Sequence, residues 1–213
     1  MDIQYGVDIA SKRLDDLDKK ILAEVKLCIE NSKDVTVLDL GCGKGGLSVM
    51  LVESGAHVCA VDIADYSKVF EKIRRENNFS QDQLQFLQAD IMQITKDIMP
   101  SASLCVLQRV IHYIPYEVAL HVLTFLKKEV GVRKMYISAT GIESDIGRSY
   151  ADKDAPIEQR FCTLSDTDAK IFSITQPVCL YTPEEFMRLL QDSGWYIEEC
   201  WVSAFGNIKA VCS

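Results

Sequence analysis

Apolar positions along the chain recur with two periods, and their alternation sets the fold class. After a polar opening, Met1 to Ser11, residues Leu14, Leu17, Ile21, Val25 and Cys28 fall on one face of a helix that ends at Asn31-Ser-Lys-Asp. Val35-Thr-Val-Leu38 then reads as a buried strand rich in β-branched residues, and Leu47, Met50 and Leu51 return to helical spacing. The exchange repeats. Strands are predicted at His57 to Asp62, Leu84 to Gln88, Ser103 to Gln108 and Lys134 to Ala139, with a helix from Tyr116 to Glu129 ahead of the last. Strands alternating with helices imply a parallel sheet covered on both faces, with right-handed crossovers.

The rhythm breaks between Thr140 and Tyr181, a long, polar and poorly periodic stretch of the kind that forms functional lids. It is read as a lid-like insertion. Thr182-Pro-Glu-Glu185 then opens a helix with an N-cap, a proline in the first turn and a capping box. That helix carries Phe186, Leu189 and Leu190 and stops at Gly194. Trp195 to Val202 and Ile208 to Cys212, joined across Phe205-Gly-Asn207, read as a final hairpin.

Composition narrows the class. A chain of 213 residues, 48% hydrophobic and 25% charged, can bury one α/β core without staples. No window is apolar for long enough to cross a bilayer, and Met1-Asp-Ile-Gln-Tyr5 lacks the blocks of a secretory signal, so a cytoplasmic protein is expected. The eight cysteines are scattered, with no Cys-x-x-Cys pair, which is the usage of reduced core thiols. With a net charge of −8 and no basic stripe, nucleic acid is a poor partner and a small molecule a better one.

The chemistry concentrates where the first strand ends, at Asp39-Leu-Gly-Cys-Gly43. The turn needs glycine for its backbone angles and for close approach of a ligand. In a dinucleotide-binding turn the phosphates would be opposed by an acid such as Asp39; a ligand carrying an ammonium and a sulfonium would be favoured. Asp62 follows the turn by about twenty residues, the spacing of a carboxylate that grips a ribose diol. Ile63 is placed to pack on a base. A third strand runs into Ala89-Asp90-Ile91, which puts acids at three successive strand ends.

This pattern resembles the class I S-adenosylmethionine-dependent methyltransferases, with Asp39, Gly41 and Gly43 at the acid and glycine positions of their first motif. The resemblance implies an α/β, Rossmann-like doubly wound sheet, mostly parallel with an antiparallel C-terminal hairpin strand. It also implies a single domain over residues 1–213, in which 1–33 form an N-terminal helical cap and 140–181 the insertion. S-adenosylmethionine is the implied cofactor, contacted by Asp39, Gly41, Cys42, Gly43, Asp62, Ile63, Asp90, Ile91 and Gln108, with Arg13 pairing with its carboxylate. Methyl transfer is an in-line displacement that mainly needs alignment and exclusion of water. The residues after the fourth strand, Arg109, His112 and Tyr113, are the candidates for handling the acceptor. In the insertion, Arg148, Tyr150 and Arg160 suit an acidic substrate, whereas Asp145, Asp152 and Asp154 suit an amine. The fourth strand does not end in Asn-Pro-Pro-Tyr or Asp-Pro-Pro-Tyr, which disfavours methylation of nucleic-acid bases, and no metal is expected.

The expected reaction is methylation of a small-molecule oxygen or nitrogen. Two rivals stand beside it: a non-catalytic cofactor-binding protein of the same fold, and a nicotinamide-dependent reductase, which would need a Tyr-x-x-x-Lys pair that neither Tyr66 nor Tyr150 supplies.

Overall fold

The computed structural model describes residue 5, residues 15–31 and residues 33–213. In chain order the regular elements are α1 (Asp16–Glu30), β1 (Thr36–Leu40), α2 (Gly46–Glu53), β2 (His57–Asp62), α3 (Ser67–Asn77), β3 (Leu84–Gln88), β4 (Leu104–Gln108), α4 (Tyr116–Phe125), β5 (Lys134–Thr140), α5 (Asp166–Phe172), α6 (Pro183–Asp192), β6 (Ile197–Val202) and β7 (Asn207–Cys212). The strands hydrogen-bond in the order β3-β2-β1-β4-β5-β7-β6. The sheet is mostly parallel with an antiparallel β6–β7 pair, as the alternation of periods predicts.

The chain divides into two compact units. One comprises residues 8–107 and 126–136. Its strands β1 and β2 pair in parallel, Leu38 opposite Cys59, and β1 pairs with β4, Leu38 opposite Cys105. Four successive residues are buried in each of β1, β2 and β4, the near-continuous apolar run of a strand covered on both faces. Helix α1 buries Leu17, Ile21 and Val25, spaced by four, with no exposed surface on any of them. At its start the Asp15 carboxylate accepts from Asp18 N–H at 3.3 Å, and the Asp18 carboxylate accepts from Asp15 N–H at 2.8 Å. This reciprocal pair satisfies amides that the first turn leaves open. Leu14 and Arg13 lie outside the described residues.

The other unit comprises residues 1–7, 108–125 and 137–213. The predicted capping box of α6 is formed: Thr182 Oγ1 accepts from Glu185 N–H, and Thr182 N–H donates to the Glu185 carboxylate. Phe186, Leu189 and Leu190 are fully buried, each contributing roughly 1.5–3 kcal/mol of transfer free energy. The Trp195 indole donates to Leu123 O at 3.1 Å, tying the end of α6 to α4. Helix α4 is shorter than its sequence pattern predicts. Its α-helical repeat gives way to a wider turn over Leu126–Val130, which keeps Leu126 and Val130 buried before the left-handed Gly131.

The insertion is more ordered than its polar sequence suggests. A parallel bridge joins Gly141 to Tyr181 and an antiparallel bridge joins Cys162 to Val178. Between them Ile142, Tyr150, Leu164, Ile174, Val178 and Leu180 form a buried cluster, against which Tyr113 packs. Buried Arg160 donates to Ala155 O, to Leu180 O at 2.9 Å and to both oxygens of Glu185.

Candidate functional site

In the unit that holds β1 and β2, a glycine turn leaves the end of β1. The amides of Gly41 and Cys42 both donate to Val61 O, at 2.8 and 3.1 Å, which folds the turn across the end of β2. Gly43 and Gly45 have φ of 54° and 78°, a region that strains a residue with a side chain. The two glycines differ in what faces them. A Cβ on Gly45 would lie 2.7 Å from the Phe70 ring, so this glycine lets α2 and α3 close, whereas a Cβ on Gly43 would meet nothing within 4 Å. The open side of Gly43 is a cradle that a ligand can approach.

Asp62 shapes that cradle. Its Oδ2 accepts from Gly43 N–H at 2.8 Å, and its Oδ1 accepts from Ala64 N–H at 2.9 Å. Each carboxylate oxygen has room for a further donor, so Asp62 fixes the turn while remaining able to receive a diol. Ala89 N–H donates to Asp62 O at 2.9 Å, which brings the end of β3 alongside. There Asp90 caps a short turn over Ile91–Gln93 through an Oδ1 contact to Met92 N–H at 2.9 Å. Ile91 is buried, whereas Ile63 is 45% exposed and Met92 42% exposed. Two uncovered apolar side chains next in sequence to the Asp62 and Asp90 turns fit an adenosyl group, which presents an apolar ring face together with hydroxyl and amine donors.

Asp39 is more deeply buried than a direct ligand contact would require. Its carboxylate accepts from Ser48 Oγ at 2.5 Å, and burial pushes its pKa up to about 6 despite that bond, with Asp18 and Asp62 adding to the rise. Burial, with the charges of Asp39 and Asp62, pushes the Cys42 thiol far above its usual range, so it stays protonated. Ser48 was invisible to the sequence reading. The only signal was a hydroxyl on the otherwise apolar α2, nine residues beyond an acid.

The second group lies in the other unit. Gln108 is half-buried at the end of β4. Arg109 follows with φ of 55°, an uncommon conformation for a residue with a side chain, held by its N–H donating to both Ser138 O and Ser138 Oγ at 3.0 Å. A single turn over Ile111–Tyr113 then places His112 in the interior, its ring centroid 4.2 Å from that of Tyr113. His112 Nε2 lies 3.4 Å from Thr140 Oγ1, its carbonyl accepts from Cys179 N–H, and its Nδ1 has no hydrogen-bond partner among the described residues. Burial, and secondarily the Arg109 charge, push the imidazole down to about 3, so it is neutral at physiological pH. The Tyr113 hydroxyl donates to Tyr5 O at 2.8 Å. The structure thus brings Arg109, His112 and Tyr113 together.

The charges expected to meet substrate from the insertion are placed otherwise. Arg160 is enclosed and bound to Glu185, Tyr150 is buried with its hydroxyl donating to Val178 O at 2.5 Å, and Arg148 pairs on the surface with Asp145 at 2.9 Å. The first two are structural because a buried polar group takes the nearest partner that the fold supplies. Among the described residues no group of three or more His, Cys, Asp or Glu is arranged to hold a metal ion.

This fold, with its carboxylate-bound glycine turn, defines a class of nucleoside-cofactor enzymes. The family model described as "Methyltransferase domain" matches residues 31–194. The chain belongs to that family and is a class I S-adenosylmethionine-dependent methyltransferase. No curated protein sequence matches it. Among solved structures it is similar to an S-adenosylmethionine-dependent methyltransferase from Clostridium acetobutylicum, with 15% identity, a TM-score of 0.66, and 97% of this chain and 92% of that one covered. The 1,6-didemethyltoxoflavin-N1-methyltransferase of Burkholderia thailandensis, bound to 1,6-didemethyltoxoflavin and S-adenosylhomocysteine, gives 13% identity, a TM-score of 0.65, and coverage of 96% and 80%. The magnesium protoporphyrin IX methyltransferase of Synechocystis with bound S-adenosylhomocysteine gives 17%, 0.62, and 97% and 87%.

Proposed function

We propose that the protein transfers a methyl group from S-adenosylmethionine to a small-molecule oxygen or nitrogen. The observation that carries this reading is the Asp62 carboxylate, bound to the Gly43 amide at 2.8 Å beside an open glycine face. Bound there, the cofactor supplies an electrophilic methyl on a positively charged sulfur. In this reading Asp62 receives the ribose hydroxyls, Ile63 covers the adenine ring, and Asp90 with the Ile91 amide receives its edge. Gly41, Cys42 and Gly43 shape the turn. Asp39 contributes a buried negative charge, and Gln108 and Arg13 contact the methionine end. Arg109, His112 and Tyr113 handle the acceptor.

Residues 140–181 cover the acceptor side, a role supported by the packing of Tyr113 against the insertion's core and by the bond from Cys179 N–H to His112 O. All eight cysteines are free, which suits a reducing cytoplasm, and none of the described helices is long and apolar enough to cross a membrane. The net charge of −8 favours a small acceptor over nucleic acid.

Calorimetry with S-adenosylmethionine, S-adenosylhomocysteine and NADH, followed by a labelled-methyl screen of metabolite extracts, tests the proposal. Both adenosyl ligands should bind and NADH should not. Asp62→Ala should weaken S-adenosylhomocysteine by about tenfold or more, the loss of one charge-assisted bidentate contact. Binding of NADH in their place, or an Asp62→Ala variant equal to the parent, would refute it.

A further inference from the structure

Arg109 is a half-buried cation with no carboxylate partner among the described residues. No hydrogen bond or ion pair is made by its guanidinium among the described residues, although Arg160 and Arg188 in the same unit both have glutamate partners. Its backbone is held in an uncommon conformation by two bonds to Ser138, so the place where the side chain leaves the chain is fixed. Residues held in this way cluster at functional sites.

The neighbours sharpen the point. The Arg109 charge acts on His112 and on Tyr113, and neither supplies a negative charge. His112 is 3% exposed and keeps Nδ1 without a partner among the described residues, while the Tyr113 hydroxyl is committed to Tyr5 O. Such a group holds a cation and an unsatisfied imidazole nitrogen, and lacks an effective base. Burial and the adjacent guanidinium oppose protonation of His112 and make it a weak proton acceptor, poorly suited to deprotonate an alcohol or a neutral amine.

We propose that the acceptor is a small oxygen acid that arrives ionised, a carboxylate or an acidic phenol, and that Arg109 is the residue that selects it. The inference rests on the methyltransferase reading above and names its acceptor class. A lone pair of the anionic oxygen forms the new bond to the methyl carbon as the carbon–sulfur bond breaks, and that bond's electron pair stays on sulfur. No proton moves. One positive and one negative charge are consumed, leaving a neutral ester or ether and a thioether. The product has lost the charge that Arg109 held, which favours its release.

The test uses the full chain and matched probes: aromatic and aliphatic carboxylic acids of increasing size, each beside its primary amide, and 4-nitrophenol beside 4-nitroanisole. Binding is read by calorimetry on the S-adenosylhomocysteine complex, and transfer by label from S-adenosylmethionine. Acid members should bind about tenfold or more tightly than their neutral partners, the ratio expected for one charge-assisted pair. Arg109→Gln should abolish that preference and Arg109→Lys should restore part of it, with S-adenosylhomocysteine affinity unchanged in both variants. The carboxylate and phenol arms distinguish the two sources of an ionised oxygen. Equal binding of acids and amides, binding of no acid, or a preference that survives Arg109→Gln overturns the proposal. Failure of the parent to bind S-adenosylhomocysteine would overturn the donor reading, and with it this one; a bound donor without acid preference would overturn this one alone.

Discussion

Replacing Asp39 with asparagine should stabilise the protein, and do so in a pH-dependent way. The carboxyl is 4% exposed and its pKa rises from 3.8 to about 6 on folding, mainly because burial penalises the charged form. A group whose folded pKa is raised lends stability below its unfolded pKa and loses it as pH rises through the folded one. The window here runs from pH 3.8 to about 6. A rise of about two units corresponds to about 3 kcal/mol, absent above pH 6 and regained towards pH 4. Asparagine keeps an acceptor for Ser48 Oγ and carries no charge, but its buried amide needs a new partner at a cost of about 1–2 kcal/mol. The expected net gain at pH 7.5 is therefore about 1–2 kcal/mol. Urea denaturation of parent and variant at half-unit steps from pH 4.5 to 7.5 reads the difference directly, and titrating groups remote from Asp39 cancel between the two proteins. The advantage of the variant should shrink by about 2 kcal/mol or more between pH 7 and pH 4.5. A constant difference across that range would show that Asp39 is not destabilised by burial, and the reasoning would fail.

Other perturbations read other parts of the structure. Arg160→Ala should cost about 3–5 kcal/mol in denaturant unfolding because it leaves Glu185 and two backbone carbonyls in a closed site without their donor; a loss below 1 kcal/mol would contradict the role assigned to the pair. Gly206→Ala should destabilise far more than Gly131→Ala. Both glycines are left-handed, but a Cβ at 206 would lie 2.6 Å from Ser144 Cα, whereas one at 131 meets nothing, so only the backbone cost of about 1 kcal/mol applies there. His112 is lowered on folding, so it lends stability above pH 6.5 that is lost as pH falls towards about 3. A His112→Gln variant should accordingly lose about 2 kcal/mol less than the parent between pH 7 and pH 5, measured by urea midpoints.

The glycine turn and the acids at the strand ends were legible because their meaning is local. Asp62 and Gly43 are nineteen residues apart, but a strand, a turn and a helix of ordinary length fix the contact. The hydroxyls of Ser48 and Ser138 were not legible, since a serine on an apolar helix or strand reads the same whether it meets a carboxylate, an amide or nothing. The core of the insertion was hidden for a related reason. Ile142, Tyr150, Leu164, Ile174, Val178 and Leu180 follow neither helical nor strand spacing, because short turns rather than long elements present them. Glu185 completes the capping box that the sequence predicts. Its second role, receiving Arg160 from twenty-five residues upstream, requires knowing how the insertion folds back.

Buried charge separates the parts of this chain that hold the fold from those that serve chemistry. The Arg160 guanidinium is enclosed and fully answered, with two carbonyls and a bidentate glutamate around it, so its burial adds order at little electrostatic cost. Asp39 and Arg109 show the opposite condition. One is an acid held by a single hydroxyl and raised by its surroundings, and the other is a half-buried cation without a counter-charge among the described residues. A fold selected only for stability would replace both, because an apolar or neutral residue would avoid the desolvation that each incurs. The proposals above give each a charge that arrives from outside: a positively charged donor for Asp39 and an anionic acceptor for Arg109. The corollary is directional. Variants at Arg160 should lose stability, whereas Asp39→Asn should gain stability and, on the proposed function, weaken S-adenosylmethionine more than the uncharged-sulfur product S-adenosylhomocysteine, because only the former carries a sulfonium for the buried negative charge to act on.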